Sequence, residues 1–146
     1  MEKNEIAQLN ELYKIATIGS LSINKVLKKL KDETLNKQFK KQFDMYEKFA
    51  NKCDVYAINS DVELQPNSMF KKVKQTAMVY MSLWMNSTPR HIVEMMITGT
   101  NMGIVETIKA ERDNHVKNEQ IVALTAEFKK IQEDFYEKLK KWLAKV

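Results

Sequence analysis

The chain has 146 residues and a formal net charge of +5, with 24 basic against 19 acidic side chains. This length fits one domain with a sizeable core, so we predict a single domain over residues 1–146. No apolar run approaches the roughly 18 residues of a membrane span, and the first residues lack the layout of a signal peptide. We therefore expect a cytoplasmic protein with no transmembrane segment.

Glycine and proline are scarce, at three and two residues, whereas strong helix formers are abundant. This composition predicts an all-α fold. The single cysteine, Cys53, excludes an intrachain disulfide and lies on an apolar helical stripe, which favours a small buried side chain over a reactive thiol.

The first two predicted helices form a hairpin. Apolar residues recur at steps of three and four over 6–30 and again over 35–57, which is the spacing of an amphipathic helix. Between them lies a short turn at 31–34, where Asp32 and Thr34 can cap the second helix. A turn this short makes the two helices antiparallel.

Residues 59–68 interrupt the pattern with Pro66 and several cap-forming side chains. A shorter helix is predicted next, with Phe70, Val73, Ala77, Tyr80 and Trp84 on its buried face. Its length, near 25 Å at 1.5 Å per residue, suits a crossover between two helical hairpins.

Thr88 and Pro89 are a strong start signal for the fourth predicted helix, as N-cap and first helical residue. Gly99 and Gly103 lie inside this helix, where each costs about 1 kcal/mol relative to alanine. We predict that another helix approaches closely over them. One face is predicted to carry Ile92, Met95, Gly99, Met102 and Glu106, with Met95, Met102 and Trp84 contributing to helix packing.

The polar run 111–115 separates this helix from the last one, which carries apolar residues at helical spacing from Ile121 to Val146. Together these elements predict a ferritin-like four-helix bundle with an additional short crossover helix.

The central stretch also resembles a known family. The segment 91–104 with its Gly99-x-x-x-Gly103 spacing, preceded by Trp84 and followed by the aromatic segment 135–143, is similar to small ferritin-like proteins of spore-forming Firmicutes, some of which are spore-coat-like. The resemblance implies a ferritin-like bundle. It implies no catalytic residues.

A ferritin-like di-iron site requires a Glu from two helices and a Glu-x-x-His from each of the other two. This sequence contains no Glu-x-x-His, and its histidines are His91, in the reversed order His91-x-x-Glu94, and His115. We therefore predict no metal site, no cofactor and no catalytic residue. His91, Glu94 and Glu106 are the weak candidates if a metal binds. Met78, Met81 and Met85 share a helical face that could hold Cu(I), but core packing is the preferred interpretation.

The prediction from sequence is a non-enzymatic structural or interaction protein, possessing a homo-oligomer interface and an unidentified protein partner. One alternative is a divalent-metal-binding oxidoreductase remnant that uses Glu94, Glu106 and His91. The other is a basic module for nucleic acid or anionic membrane, although nucleic acid is not the expected partner. Its only support is the Trp142 helix and a lysine patch formed by Lys25, Lys28, Lys29, Lys31, Lys37, Lys40 and Lys41.

Overall fold

A computed structural model describes residues 1–64 and 88–146 of the chain. These residues form four α-helices and no strand, so the prediction of an all-α bundle is confirmed for the described part. The helices are α1 (Lys3–Leu27), α2 (Glu33–Asn59), α3 (Pro89–Asn114) and α4 (Glu119–Leu143). None of the four is both long enough and apolar enough to cross a bilayer. The predicted crossover helix, including Trp84, lies outside the described residues.

The predicted helix starts are confirmed by their caps. Asp32 accepts a hydrogen bond from the Leu35 backbone N–H at 3.0 Å, and Thr88 accepts one from the His91 N–H at 3.3 Å, with Pro89 following it. Each cap satisfies a backbone donor that the first helical turn leaves without a partner. Helix α3 ends in the predicted polar run, where His115 adopts a left-handed conformation with φ of 47°.

The helix directions follow from contacts between helix ends. Asn4 near the start of α1 donates to the backbone carbonyl of Asn114 at the end of α3, so α1 and α3 are antiparallel. Helix α4 runs back along α3, where Lys129 pairs with Glu111 at 2.9 Å. It is also antiparallel to α2, because Phe39 contacts Phe135 whereas Phe49, later in α2, contacts Phe128, earlier in α4.

The four helices therefore run up, down, down and up in chain order. Helix α1 neighbours α2 and α3, and α4 neighbours the same two helices, while α2 and α3 lie across the diagonal and are not neighbours. Helix α2 ends at one end of the bundle and α3 begins at the other. Residues 65–87 connect these two ends.

Aromatic side chains fill the space between α2 and α4. Phe49 stacks on Phe128 with ring centroids 4.5 Å apart, and Phe39 meets Phe135 edge to face at 5.9 Å. These four phenylalanines are the largest fully buried side chains among the described residues. Burial of each such ring contributes roughly 1.5–3 kcal/mol, which makes this aromatic seam a main source of cohesion between α2 and α4.

The buried face of α3 is shifted by one residue along the sequence from the predicted face. Its buried residues are Ile92, Val93, Met96, Thr100, Thr107 and Ala110. The predicted line through Met95, Gly99, Met102 and Glu106 was therefore wrong in register. Two of these buried residues are threonines, and Thr107 can enter the core because its hydroxyl donates to the Gly103 carbonyl at 2.8 Å.

Candidate functional site

Two mid-bundle glycines each make room for a large side chain from a neighbouring helix. A Cβ placed on Gly19 of α1 would lie 2.9 Å from the Tyr46 ring of α2. A Cβ on Gly103 of α3 would lie 2.8 Å from Nε2 of Gln132 on α4. Another helix was predicted to approach closely over Gly99 and Gly103. At Gly103 the approaching group is the Gln132 side chain of α4. Gly99 is half-buried.

Gln132 belongs to a buried polar contact between α3 and α4. Its side chain is 1% exposed, and its Oε1 lies 3.0 Å from the hydroxyl oxygen of Thr107. The same hydroxyl lies 2.8 Å from the Gly103 carbonyl oxygen, and because it carries one proton, the two acceptors share it. The centre of the bundle is thus polar as well as apolar.

Gln42 and Tyr46 form a second buried polar pair on α2. Burial raises the pKa of the Tyr46 hydroxyl above its usual value. Gln42 is 4% exposed, and its Nε2 has no hydrogen-bond partner among the described residues. An unsatisfied buried donor typically costs 1–3 kcal/mol.

A third polar cluster joins α1, α3 and α4 at one end of the bundle. The Gln8 amide donates to the Thr125 hydroxyl at 3.0 Å and accepts from the Asn114 amide at 2.9 Å. The Thr125 hydroxyl in turn donates to its own helix at the Ile121 carbonyl. Each group in this chain is neutral, so the cluster fixes the helices against one another and holds no charge.

The structure does not bring the weak metal candidates together. Glu94 pairs with Arg90 at 3.3 Å, and Glu106 pairs with Lys109 at 3.6 Å, both on the exposed surface. Twelve residues separate Glu94 from Glu106, which corresponds to about 18 Å along one helix. His91 is half-buried in the first turn of α3, one turn from Glu94 and about 22 Å along the helix from Glu106. Within residues 1–64 and 88–146, no group of three or more His, Cys, Asp or Glu side chains could hold a metal ion.

The predicted packing residues occupy different environments. Met95 is partly buried and packs against the core, whereas Met102 is 50% exposed. Cys53 is buried as predicted, and burial raises the pKa of its thiol to about 12. A thiol with this pKa stays protonated near neutrality and is a poor nucleophile.

An open groove lies on the surface between α2 and α4, with a volume of about 590 Å³. Val55, Tyr56 and Leu124 provide much of its apolar lining, and the 2.6 Å ion pair of Lys52 with Glu127 lies at its edge. These residues include no nucleophile with an adjacent base, so the groove has the character of a binding surface.

Sequence reasoning missed the polar interior and the role of Gly19. Gln8, Gln42 and Gln132 are long polar residues that a hydrophobic pattern assigns to the surface. The available signal was Gly19, because a glycine inside a helix usually marks a close approach.

Comparison of the chain with protein-family models, with curated proteins and with solved structures found no match.

Proposed function

We propose that the protein is a non-enzymatic structural or interaction protein built on a ferritin-like scaffold, and that it acts by self-association. A spore-coat-like role, which the sequence resemblance implies, is part of this proposal. The proposal also includes a cytoplasmic location.

The order of helix directions supports the scaffold assignment. Ferritin-like bundles consist of two helical hairpins joined by one long crossover connection. Here α2 and α3 are diagonal, and α3 begins at the opposite end of the bundle from the end of α2. The two described hairpins are therefore placed like those of a ferritin-like fold, with the end of the first and the start of the second at opposite ends of the bundle.

The non-enzymatic proposal rests on one observation, which is that neutral side chains fill the middle of the bundle. Tyr46 occupies the space over Gly19, and Gln132 occupies the space over Gly103. In active ferritin-like proteins the inward residues at this level are carboxylates and imidazoles that bind two metal ions. A phenol and an amide in those places are poor ligands for hard divalent cations.

Metal loading tests this proposal directly. The protein is purified aerobically with added iron or manganese, gel-filtered and measured by elemental analysis, alongside an active di-iron bundle protein as the control. We expect fewer than about 0.2 ions per chain, against two for an active site, and no oxidation of ferrous iron. Near-stoichiometric binding of two ions would overturn the non-enzymatic assignment. It would then favour the alternative of a divalent-metal oxidoreductase, for which His91→Ala and Glu94→Gln should reduce loading.

One observation favours the alternative of a basic module for anionic partners. Trp142 packs on Phe39 with ring centroids 5.7 Å apart, so the Trp142 helix ends beside the start of α2. The lysine patch and the Trp142 helix therefore lie at the same end of the bundle. Salt-dependent binding to nucleic acid or anionic vesicles would support this module.

A further inference from the structure

The described part of the bundle is electrically polarised along its axis. At the end containing the α1–α2 turn, the exposed carboxylates Asp32 and Glu33 are outnumbered by seven lysines from the ends of α1 and α4, the turn and the start of α2: Lys25, Lys28, Lys29, Lys31, Lys37, Lys141 and Lys145. We call this set the lysine end. Six of the seven are exposed, and none forms an ion pair with a described residue.

The opposite end is acidic. It gathers the start of α1, the end of α2 and the α3–α4 junction, where the basic side chains Lys3, Arg112 and Lys117 are outnumbered by seven carboxylates: Glu2, Glu5, Asp61, Glu63, Glu111, Asp113 and Glu119. We call this set the acidic end. Glu111 and Asp113 are neutralised by Lys129 and Arg112. Asp61, Glu63 and Glu119 are exposed and form no ion pair with a described residue.

We propose that copies of this chain associate head to tail, with the lysine end of one bundle against the acidic end of the next. The inference rests on the self-association proposed above and specifies the surfaces that form the contact. Charge complementarity carries it, because opposite unpaired charges lie on opposite ends of one molecule. A contact between two different surfaces leaves one free surface of each kind on every complex, so assembly continues into open chains.

A second copy fits the lysine end better than a nucleic acid does. Nucleic-acid sites combine basic residues with stacking aromatic groups or with arginine forks that grip phosphate. The lysine end contains seven lysines, and Arg90, which lies at the same end of the bundle in the first turn of α3, is already paired with Glu94 at 3.3 Å. The nearby Trp142 ring is engaged by Phe39 and Phe135. Lysine side chains do not impose a fixed geometry on their partner, so they suit a protein surface on which carboxylates are scattered.

Neutralising one end at a time provides the test. One variant combines Lys28→Gln, Lys37→Gln and Lys141→Gln, and the other combines Asp61→Asn, Glu63→Gln and Glu119→Gln. Asp61 has a left-handed backbone with φ of 57°, which asparagine tolerates, so the second variant keeps its fold. A matched control, Lys48→Gln with Lys130→Gln and Lys138→Gln, makes the same charge change as the first variant on the sides of the bundle.

Sedimentation velocity is measured for each protein at about 10 mM and about 300 mM salt, which shortens the electrostatic screening length from about 30 Å to under 10 Å. We expect the full-charge protein and the control to form concentration-dependent chains at low salt that dissociate at high salt. Each end variant alone should be monomeric. An equimolar mixture of the two should form dimers and nothing larger, since only one complementary contact remains.

Three outcomes would overturn the inference. Oligomers that neither end variant disturbs would leave self-association standing and refute the head-to-tail contact. A full-charge protein that is monomeric at both salt concentrations would refute both proposals. A monomer that binds anionic vesicles through the lysine end would identify a membrane surface as the partner instead of a second copy.

Discussion

Gly19 and Gly103 differ in the kind of atom that lies over them, and this difference predicts opposite effects of alanine. Gly19 faces the buried Tyr46 ring, which is held between α1 and the aromatic seam. Overpacking of 1–3 kcal/mol then exceeds the helix-propensity gain of about 1 kcal/mol. We expect Gly19→Ala to reduce the free energy of unfolding by about 1 kcal/mol, measured by urea denaturation.

Gly103→Ala is the matched comparison. Its Cβ would meet the amide end of Gln132, a flexible side chain that can move by a few tenths of an ångström. The propensity gain then prevails, and we expect a free energy of unfolding that is unchanged or raised by up to about 1 kcal/mol. A Gly103→Ala variant less stable than Gly19→Ala would show that the Gln132 amide is the more rigid neighbour.

Buried Cys53 predicts a loss of stability in alkaline solution. Burial raises the pKa of its thiol from about 9 to about 12. Between these values the folded protein keeps a proton that the unfolded chain has lost, so the free energy of unfolding falls as pH rises. The slope approaches about 1.4 kcal/mol per pH unit above pH 9. Urea denaturation at pH 8, 9 and 10 measures it.

Cys53→Ala is the control for this pH dependence. It removes the thiol and should flatten the slope between pH 9 and 10, although the smaller side chain lowers stability at every pH. Buried Tyr46, whose pKa is also raised, begins to contribute above about pH 10. An unchanged slope in Cys53→Ala would assign the alkaline effect to another group.

At this scale the sequence predicted the apolar residues well and the buried polar residues poorly. Leu35, Phe39, Tyr46 and Cys53 belong to the apolar spacing predicted over 35–57, and all four are buried. The burial of Gln132 was not predicted, because it depends on a hydroxyl from α3 that sits 25 residues away in the chain. No local pattern reveals such a partner.

Helix starts were predictable because their signals are local. Asp32, Thr88 and Pro89 act within three residues of themselves, so the sequence alone contains the interaction. The register of the α3 face was not predictable in this way. Several faces of α3 carry apolar residues, and the choice among them depends on how α1 and α4 pack against it.

The Asn118 cap yields a prediction for α4 as an element. Its side chain accepts hydrogen bonds from the backbone N–H groups of Gln120 and Ile121, at 3.0 and 3.3 Å. It also accepts a long one, of 3.4 Å, from the Tyr56 hydroxyl of α2. We expect Asn118→Ala to lower the free energy of unfolding by about 1–2 kcal/mol in urea denaturation.

Two variants separate the cap from the contact between helices. Asn118→Asp keeps the capping acceptor and should cost little. Tyr56→Phe removes only the long hydrogen bond and should cost less than about 0.5 kcal/mol. If Tyr56→Phe costs as much as Asn118→Ala, the link to α2 rather than the cap stabilises the start of α4.

The four helices depend on one another because polar and aromatic contacts cross between the two hairpins. Gln8 links α1 to α4 through Thr125 and to α3 through Asn114, and the aromatic seam links α2 to α4. The sequence predicted helix order and hairpin pairing. It did not predict the diagonal contact of α1 with α4, since this contact arises only after the bundle closes.

This interdependence predicts that removing one ring of the seam weakens the whole molecule. Phe128 is fully buried, stacks on Phe49 and meets Tyr46 edge to face at 6.1 Å. Truncating a buried phenylalanine typically costs 3–5 kcal/mol, a large part of the 5–15 kcal/mol that stabilises most domains. We expect Phe128→Ala to show this loss in urea, with an unchanged denaturant slope and one transition for helicity and tryptophan fluorescence.

Phe43→Ala is the matched control on α2, because that ring is only partly buried and should cost clearly less. The two probes distinguish a cooperative bundle from two independent hairpins. If helicity and fluorescence of Phe128→Ala separate into two transitions, the α1–α2 and α3–α4 hairpins unfold on their own, and the seam joins units that are already stable. Coincident transitions at lower urea mean that the hairpins fold only together, which is the behaviour that contacts crossing between all four helices require.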